Sequence, residues 1–390
     1  MGLFDKLFGG GAPKAKARQQ FEAFKTLTAY QPVFTSWGGA IYENELVRSA
    51  IDAKARNISK LRVEFQGAAQ PETVNKLKHA PNEWSTWSQF LYRLSTILDV
   101  QNTAFIVPVF DRYGRTEGIY PILPSKCKLV ETKDGVPYIV YEFTHGEHAA
   151  LELAKVGILN RFQYKHDFFG EKNYDALRST MELIDIQNQG IKEGVKSSAT
   201  FRFMAQLNNF SDDEDLMSER LRFNRNNLET DTGGLLLFPN TYTNIQKIDS
   251  KPFVIDSEQM KAIHTNIFNY FGVNEDILQN KAFGDAWSAF YEGAIEPFAI
   301  QFSDVLTNML FTKNEQSRGA LVIATANRLQ YMTNADKLAV SAQMLDRGIM
   351  SRNEIRDIWN LAPIDDGDNY IIRGEYYDAS EKLNTESEEE

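Results

Sequence analysis

The stretch FNYFGVNEDILQNKAFGDAWSAFYEGAIEPF, residues 268–298, decides how the rest of the chain is read. It runs helical, stops at Gly272, crosses the polar residues Gln279, Asn280 and Lys281, and resumes as an aromatic-rich helix with Pro297 inside it. Glycine after an apolar helical run ends the helix, and an internal proline removes a backbone donor and clashes with the preceding turn. The segment therefore predicts a helix, a polar loop and a second helix bent at Pro297. Trp287, Phe290 and Tyr291 read as packing residues of that second helix, and Lys281 reads equally as an ordinary solvated lysine.

Upstream, YDALRSTMELIDIQNQGIKEGVKSSA (174–199) places Leu177, Met181, Ile184, Ile191 and Val195 on one stripe. At 1.5 Å per residue this predicts a helix roughly 35 to 40 Å long. TFRFMAQL, GGLLLFPN and YTNIQKI read as strands, and SDDEDLMSERLRFNRNNLE as a helix with acidic residues in its first turn. DSEQMKAIHTNIFNYF then gives a second helix leading back, so residues 200–250 form a small β/α unit carried between two helices.

In the N-terminal half, Val47, Ile51, Ala55 and Ile58 lie on one helical face, and Leu61, Val63 and Phe65 alternate as in a strand. Thr86 and Gln89 have capping-box spacing ahead of a helix buried through Phe90, Leu94 and Leu98. Two hairpins follow. AFIVPVF and GIYPIL turn at DRYG, with Pro108 indicating an edge or bulged strand, and CKLVETKDGVPYIVYEF turns on Asp134-Gly135. Residues 40–170 thus predict one α+β unit. ALVIATANRLQ (320–330) is a strand without a sequential partner and is expected to return to that unit. Two capped helices meeting at Arg347-Gly348 come next, the second with the capping box Ser351 and Glu354.

Composition narrows the function. The 390 residues are 43% hydrophobic, enough for two or three folded units with real cores. With 42 basic against 53 acidic residues, the net charge of -11 speaks against a surface built to grip nucleic-acid phosphates. Leu3, Phe4, Leu7 and Phe8 have helical spacing, but the basic residues that follow read as a mobile arm rather than a membrane anchor. The sequence contains no membrane span.

A converged catalytic set is not evident. Of the five histidines only HGEH, with His145 and His148, forms a cluster; it is expected in a loop before a helix-like AALELAK, without metal-ligand spacing. Cys127, the single cysteine, has flanking lysines but no adjacent histidine, and reads as strand packing. Asp212, Asp213 and Asp215 offer a candidate divalent-cation site, although a helix N-terminus favours carboxylates without any metal. No enzyme activity, metal or cofactor is expected. A metal-dependent nucleic-acid-processing enzyme using those carboxylates, or a non-channel structural adaptor, is the alternative.

The order of these elements resembles the phage portal family of HK97 type, the head-to-tail connectors. The resemblance runs over about residues 37–375 and is carried by APNEWSTWSQFLYRL with the DRYG hairpin, IFNYFGVNEDIL, FYEGAIEPFAIQFSDVLTNML and, most specifically, DRGIMSRNEIRDIWNLAPIDDGD. Asn274-Glu275 stands where the family has Pro-Pro, and DVQNTAF where it has Gly-Asn-Ala.

The resemblance implies an α+β portal fold. Residues 1–36 would be a flexible arm, 37–173 a wing completed by a return strand near 318–330, and 174–199 with 251–272 the stem helices. Residues 200–250 would be the clip, 273–317 the tunnel loop and kinked tunnel helix, 331–375 the crown, and 376–390 a disordered acidic tail. It further implies a ring of probably twelve copies in the virion, at the capsid portal vertex, formed from subunits made in the host cytoplasm. Gln279, Asn280, Lys281 and Asp285 would face double-stranded DNA passing non-specifically through the channel. The clip strands would offer edges for pairing with neighbouring copies. Partners would be the large terminase subunit, the major capsid and scaffold proteins and a head-tail adaptor, with no membrane.

Overall fold

In the computed structural model, the residues described are 25–26, 42–111, 113–132, 134–142, 148–171, 173–198, 203–207, 213–227, 242–247, 257–326 and 334–373. They fall into two units: residues 1–178 with 264–390, and residues 179–263.

The first unit is built on helix α1 (Glu45–Ile58), whose N-cap Asn44 accepts from two backbone amides and whose Val47, Ile51, Ala55 and Ile58 are fully buried. Strand β2 (Arg62–Gln66) and helix α2 (Pro71–His79) lead to α3 (Trp87–Gln101), which opens on the expected Thr86/Gln89 capping box. Trp87 then stands at the centre of an aromatic cluster with Phe65, Phe90 and Phe302, and its Nε1 donates to the Leu77 carbonyl at 2.7 Å. That bond satisfies the indole donor within the apolar contact.

Strands β3 (Thr103–Phe110), β4 (Thr116–Ile122) and β8 (Gly157–Asn160) form an antiparallel sheet in the order β4-β3-β8. Pro108 sits in the central strand, but β8 pairs only with residues 103–106, and the β3–β4 register shifts at Val109/Phe110. The proline thus lies where the ladder has one neighbour and a bulge follows, which is how a strand tolerates a missing donor. A second sheet orders β1 (Lys25–Thr26), β5 (Cys127–Glu131), β6 (Pro137–Glu142) and β7 (His148–Glu152) as β1-β5-β6-β7. Its inner face shares a core of Phe105, Val107, Cys127, Leu129, Ile139 and Phe169. Burial pushes the Cys127 thiol pKa up, which keeps it an unreactive packing residue.

Three sequence expectations are corrected here. AALELAK is not helical: Ala149 to Glu152 belong to β7, and a single 3-10 turn, Leu153–Lys155, follows. Pairing with β6 outweighs the helix preference of Ala and Leu. The lead-in is not wholly a free arm, because Lys25–Thr26 pairs antiparallel with β5. Ile191, expected on the buried stripe, is exposed, whereas Leu177, Met181 and Ile184 are buried.

The strand expected to return does so. β11 (Leu321–Thr325) pairs antiparallel with β2 over all five residues. It also lies along helix α9 (Glu296–Leu310): Ser303 Oγ accepts from the Ala324 amide at 2.8 Å and Thr307 Oγ1 from that of Val322 at 2.9 Å. At the other strand meeting α9, a Cβ on Gly157 would come within 2.8 Å of Val305 Cγ1, so a larger residue there would force the helix side chains to shift. After the short helix α10 (Lys313–Ser317) and β11, helices α11 (Asn334–Asp346) and α12 (Arg352–Ile358) are joined by Trp359 Nε1 donating to Ser341 Oγ at 3.0 Å. Ser351 caps α12 in the expected box with Glu354.

Among the buried polar side chains of the first unit, Lys54 and Asp99 form an ion cluster. Lys54 Nζ lies 2.9 Å from Asp99 Oδ1, both side chains are buried, and Arg161 also pairs with Asp99. Arg161 Nη2 reaches the Tyr270 carbonyl near the end of helix α6 (Ser257–Phe271), where a cation suits the helix dipole.

In the second unit, β9 (Phe203–Leu207) and β10 (Tyr242–Lys247) pair antiparallel with a register shift between Thr243 and Gln246. Helix α5 (Asp213–Asn227) opens at Asp213. The long helix α4 (Asn173–Ser198) runs 26 residues and passes from the first unit into the second at Ser179. The expected strand at 233–240, Asp212, residues 143–147 and the tail at 376–390 lie outside the described residues.

Candidate functional site

The loop singled out in the sequence is shaped by the two helices around it. α6 ends in a Schellman turn: Gly272 has φ +73°, its amide donates to the Asn269 carbonyl, and the Val273 amide donates to that of Phe268. Phe268 and Val273 are buried together, the apolar contact that accompanies this stop. Asn274 then caps the short helix α7 (Glu275–Leu278) by accepting from the Ile277 amide at 2.9 Å. This explains how Asn-Glu serves at a turn where the family has Pro-Pro, since asparagine is among the best N-caps.

Buried Ile277 anchors the turn, and the amides of both Lys281 and Ala282 converge on the Asp276 carbonyl, at 2.7 and 3.2 Å. Asn280 takes a left-handed φ of +56°, a conformation asparagine tolerates. Gln279, Asn280 and Lys281 are all exposed, and Lys281 Nζ donates to Gln279 Oε1 at 2.7 Å. The sequence readings therefore meet in one exposed loop. Asp285 is exposed a few residues on, in the first turn of helix α8 (Asp285–Phe290), where its charge favours the helix start. Residues 275–285 hold three carboxylates, Glu275, Asp276 and Asp285, against the single lysine.

Sequence reasoning passed over Phe283, which is 71% exposed between Ala282 and a Gly284 of φ +57°. The neighbouring glycine is visible in sequence, but the positive φ that leaves the aromatic without a regular element to pack into is seen only in the structure.

Downstream of α8 the helix changes character. A π-turn spans Tyr291–Ile295, closed by the Glu296 amide donating to the Tyr291 carbonyl, and α9 continues from Glu296. The sequence placed the irregularity at Pro297, whereas the structure places it in the turn just before. In an α-helix the proline ring would strike the carbonyl four residues back, at Gly293, and widening that turn relieves the clash. Phe290, Tyr291 and Ile295 are buried, and Trp287 stacks on Tyr291 with centroids 5.4 Å apart, so the aromatic residues serve packing.

Among the described residues the other candidate chemistry does not converge. Asp215 is exposed on the first turn of α5, and the described residues contain no group of three or more His, Cys, Asp or Glu side chains able to hold a metal. Among the described residues no helix is long and apolar enough to cross a membrane.

Comparison with known proteins agrees with this architecture. No curated protein sequence matches the chain. The fold is similar to a chain of the neck of a native gene transfer agent particle reconstructed with C12 symmetry, at TM-score 0.59 and 14% identity, covering 90% of this chain and 99% of that one. It is similar to a chain of the empty-particle neck, reconstructed with C6 symmetry, at TM-score 0.57 and 15% identity over 85% and 95% of the two chains. A crystal structure of an HK97 family phage portal protein from Corynebacterium diphtheriae matches at TM-score 0.49 and 10% identity, over 76% and 96%. A model of the phage portal protein family matches residues 45–360, most of the chain, and the chain therefore belongs to that family.

Proposed function

We propose that the chain forms a ring of about twelve copies at one capsid vertex, a channel through which double-stranded DNA is packaged and later ejected. The family match over residues 45–360 carries this reading, supported by a fold shared with chains of symmetric particle necks. The ring is assembled from subunits made in the host cytoplasm into capsid and scaffold protein. It docks the large terminase subunit during packaging and a head-tail adaptor afterwards. The portal family is structural, and the work of packaging belongs to the terminase.

In this reading residues 37–173 with β11 form the wing, α4 and α6 the stem, 200–250 the clip, 273–317 the tunnel loop and helix, and 331–375 the crown. Pro297 and the π-turn before it bend the tunnel helix. Ring symmetry repeats every residue, so the exposed loop becomes a collar in which each lysine is set among carboxylates. Such a collar touches phosphates weakly and without sequence preference, while the acidic subunits repel the duplex. DNA can then slide, and tight binding would stall it.

Lys281→Ala tests the loop assignment. The variant should assemble into rings like the parent and change the fraction of nuclease-protected DNA retained in particles. Loss of ring assembly from this single change would show that the loop is an assembly contact instead.

A further inference from the structure

We propose that helices α11 and α12 dock on the same helices of a second copy, the acidic loop 361–368 of one chain seated on the basic turn between α11 and α12 of the next. The contact rests on the ring proposed above and names surfaces that close it.

These helices have almost no interior of their own. Among the described residues of 334–373, Ile358 is the one large apolar side chain that is buried, while Leu338, Ile349, Leu361, Ile364 and Ile372 are exposed. Burial on that scale cannot hold a helix pair of this size. The ion pair that links α12 to β2, Arg62 with Asp357 at 3.0 Å, is exposed, and such pairs contribute little. Exposed apolar side chains gathered in one short segment mark a contact surface.

Two surfaces of opposite charge are built there. The first lies around the turn that joins the helices. Arg347 bridges to Ile372, and a Cβ on Gly348 would come within 2.7 Å of Ile372 Cγ1, so Ile372 is packed over the turn that carries Ile349. Arg347 and Arg352 flank this turn, exposed and without an ion-pair partner among the described residues.

The second surface is a loop fixed by one side chain. Asn353 Nδ2 donates to the Ile364 carbonyl at 3.1 Å and to Asp368 Oδ1 at 2.9 Å, and its Oδ1 accepts from the Ile364 amide at 2.9 Å. The Asn353 amide donates to the Gly367 carbonyl at 2.8 Å, and Arg356 Nε to that of Ala362 at 2.7 Å. Held in this way, the loop exposes Leu361, Ile364, Asp365 and Asp366, and neither carboxylate has an ion-pair partner among the described residues.

A cyclic ring joins one face of each copy to a different face of the next. An acidic apolar surface and a basic apolar surface on one helix pair meet that need. Isoleucine and leucine side chains left bare by each copy cover one another, carboxylates meet guanidiniums, and two like surfaces repel.

Exchanging the charges in the full-length protein tests the contact. Arg347→Glu/Arg352→Glu makes both surfaces acidic, and Asp365→Lys/Asp366→Asn removes the acidic one, with asparagine suited to the φ of +57° at residue 366. All four side chains are exposed, so each double variant should keep the circular dichroism of the parent. Each should lower the fraction of chains found in rings by native mass measurement at least about tenfold, because like charges then face each other at every junction. The quadruple variant, with the charges exchanged, should form rings again. Rings formed by both double variants as by the parent, or a loss that the quadruple variant does not restore, would overturn the crown contact and leave the ring standing. A parent chain that forms no rings would overturn the ring and this contact with it.

Discussion

Gly272 and Gly293 lie on either side of the exposed loop and have opposite requirements. Gly272 takes φ +73°, which a Cβ disfavours, whereas a Cβ on Gly293 would meet nothing within 4 Å. Gly272→Ala should therefore destabilise by about 1 kcal/mol, and Gly293→Ala should stabilise by about 0.5–1 kcal/mol, as urea unfolding will show. At the buried ion cluster, Asp99 serves both Lys54 and Arg161. Asp99→Ala leaves two cations without their carboxylate and should cost about 3–5 kcal/mol, more than Lys54→Met, which leaves Arg161 to pair with Asp99. Burial, more than the opposing pull of Asp99, holds the Lys54 ammonium below its usual 10.5. The unfolded chain then binds the proton more tightly, so the Lys54 contribution to stability rises as pH climbs from the folded value towards 10.5. Lys54→Met should lack that rise when unfolding midpoints are compared between neutral and alkaline pH. The ion cluster was not legible in the sequence, because Lys54, Asp99 and Arg161 come from three distant segments and resemble surface charges until the fold joins them. The capping boxes at Thr86 and Ser351 were legible, since their partners are three residues away.

Among the elements, those with strong period and local caps were read correctly, and the failures have identifiable causes. AALELAK is made of helix formers, yet its place beside β6 makes its first part a strand. Pro297 was recognised as a disturbance, but where a helix absorbs it depends on packing: α9 is held through Ser303 and Thr307, so the preceding turn widens instead. Pro297→Ala restores a donor and removes the clash. It should let the five-residue turn at Tyr291–Ile295 tighten towards α-helix, visible as slower hydrogen exchange at residues 294–296. Unchanged exchange would mean that the buried Phe290, Tyr291 and Ile295 fix the π-turn by themselves.

For the whole molecule, the sequence yielded more than its local signals suggest, because the lone strand at 321–325 had nowhere to pair except with an early segment, and it pairs with β2. The exposed loop was legible as a loop through Gly272 and its polar residues. Its most exposed apolar member, Phe283, was not, since an isolated aromatic in sequence reads as core until its surroundings are known. What the loop faces in an assembly is a property of many copies, and the central claim is that those copies close into a ring. Native mass measurement of the purified chain, with negative-stain images of the same sample, tests it most directly. The account predicts closed rings of about twelve subunits around an axial hole wide enough for duplex DNA; a stable dimer or trimer with no axial hole would contradict it.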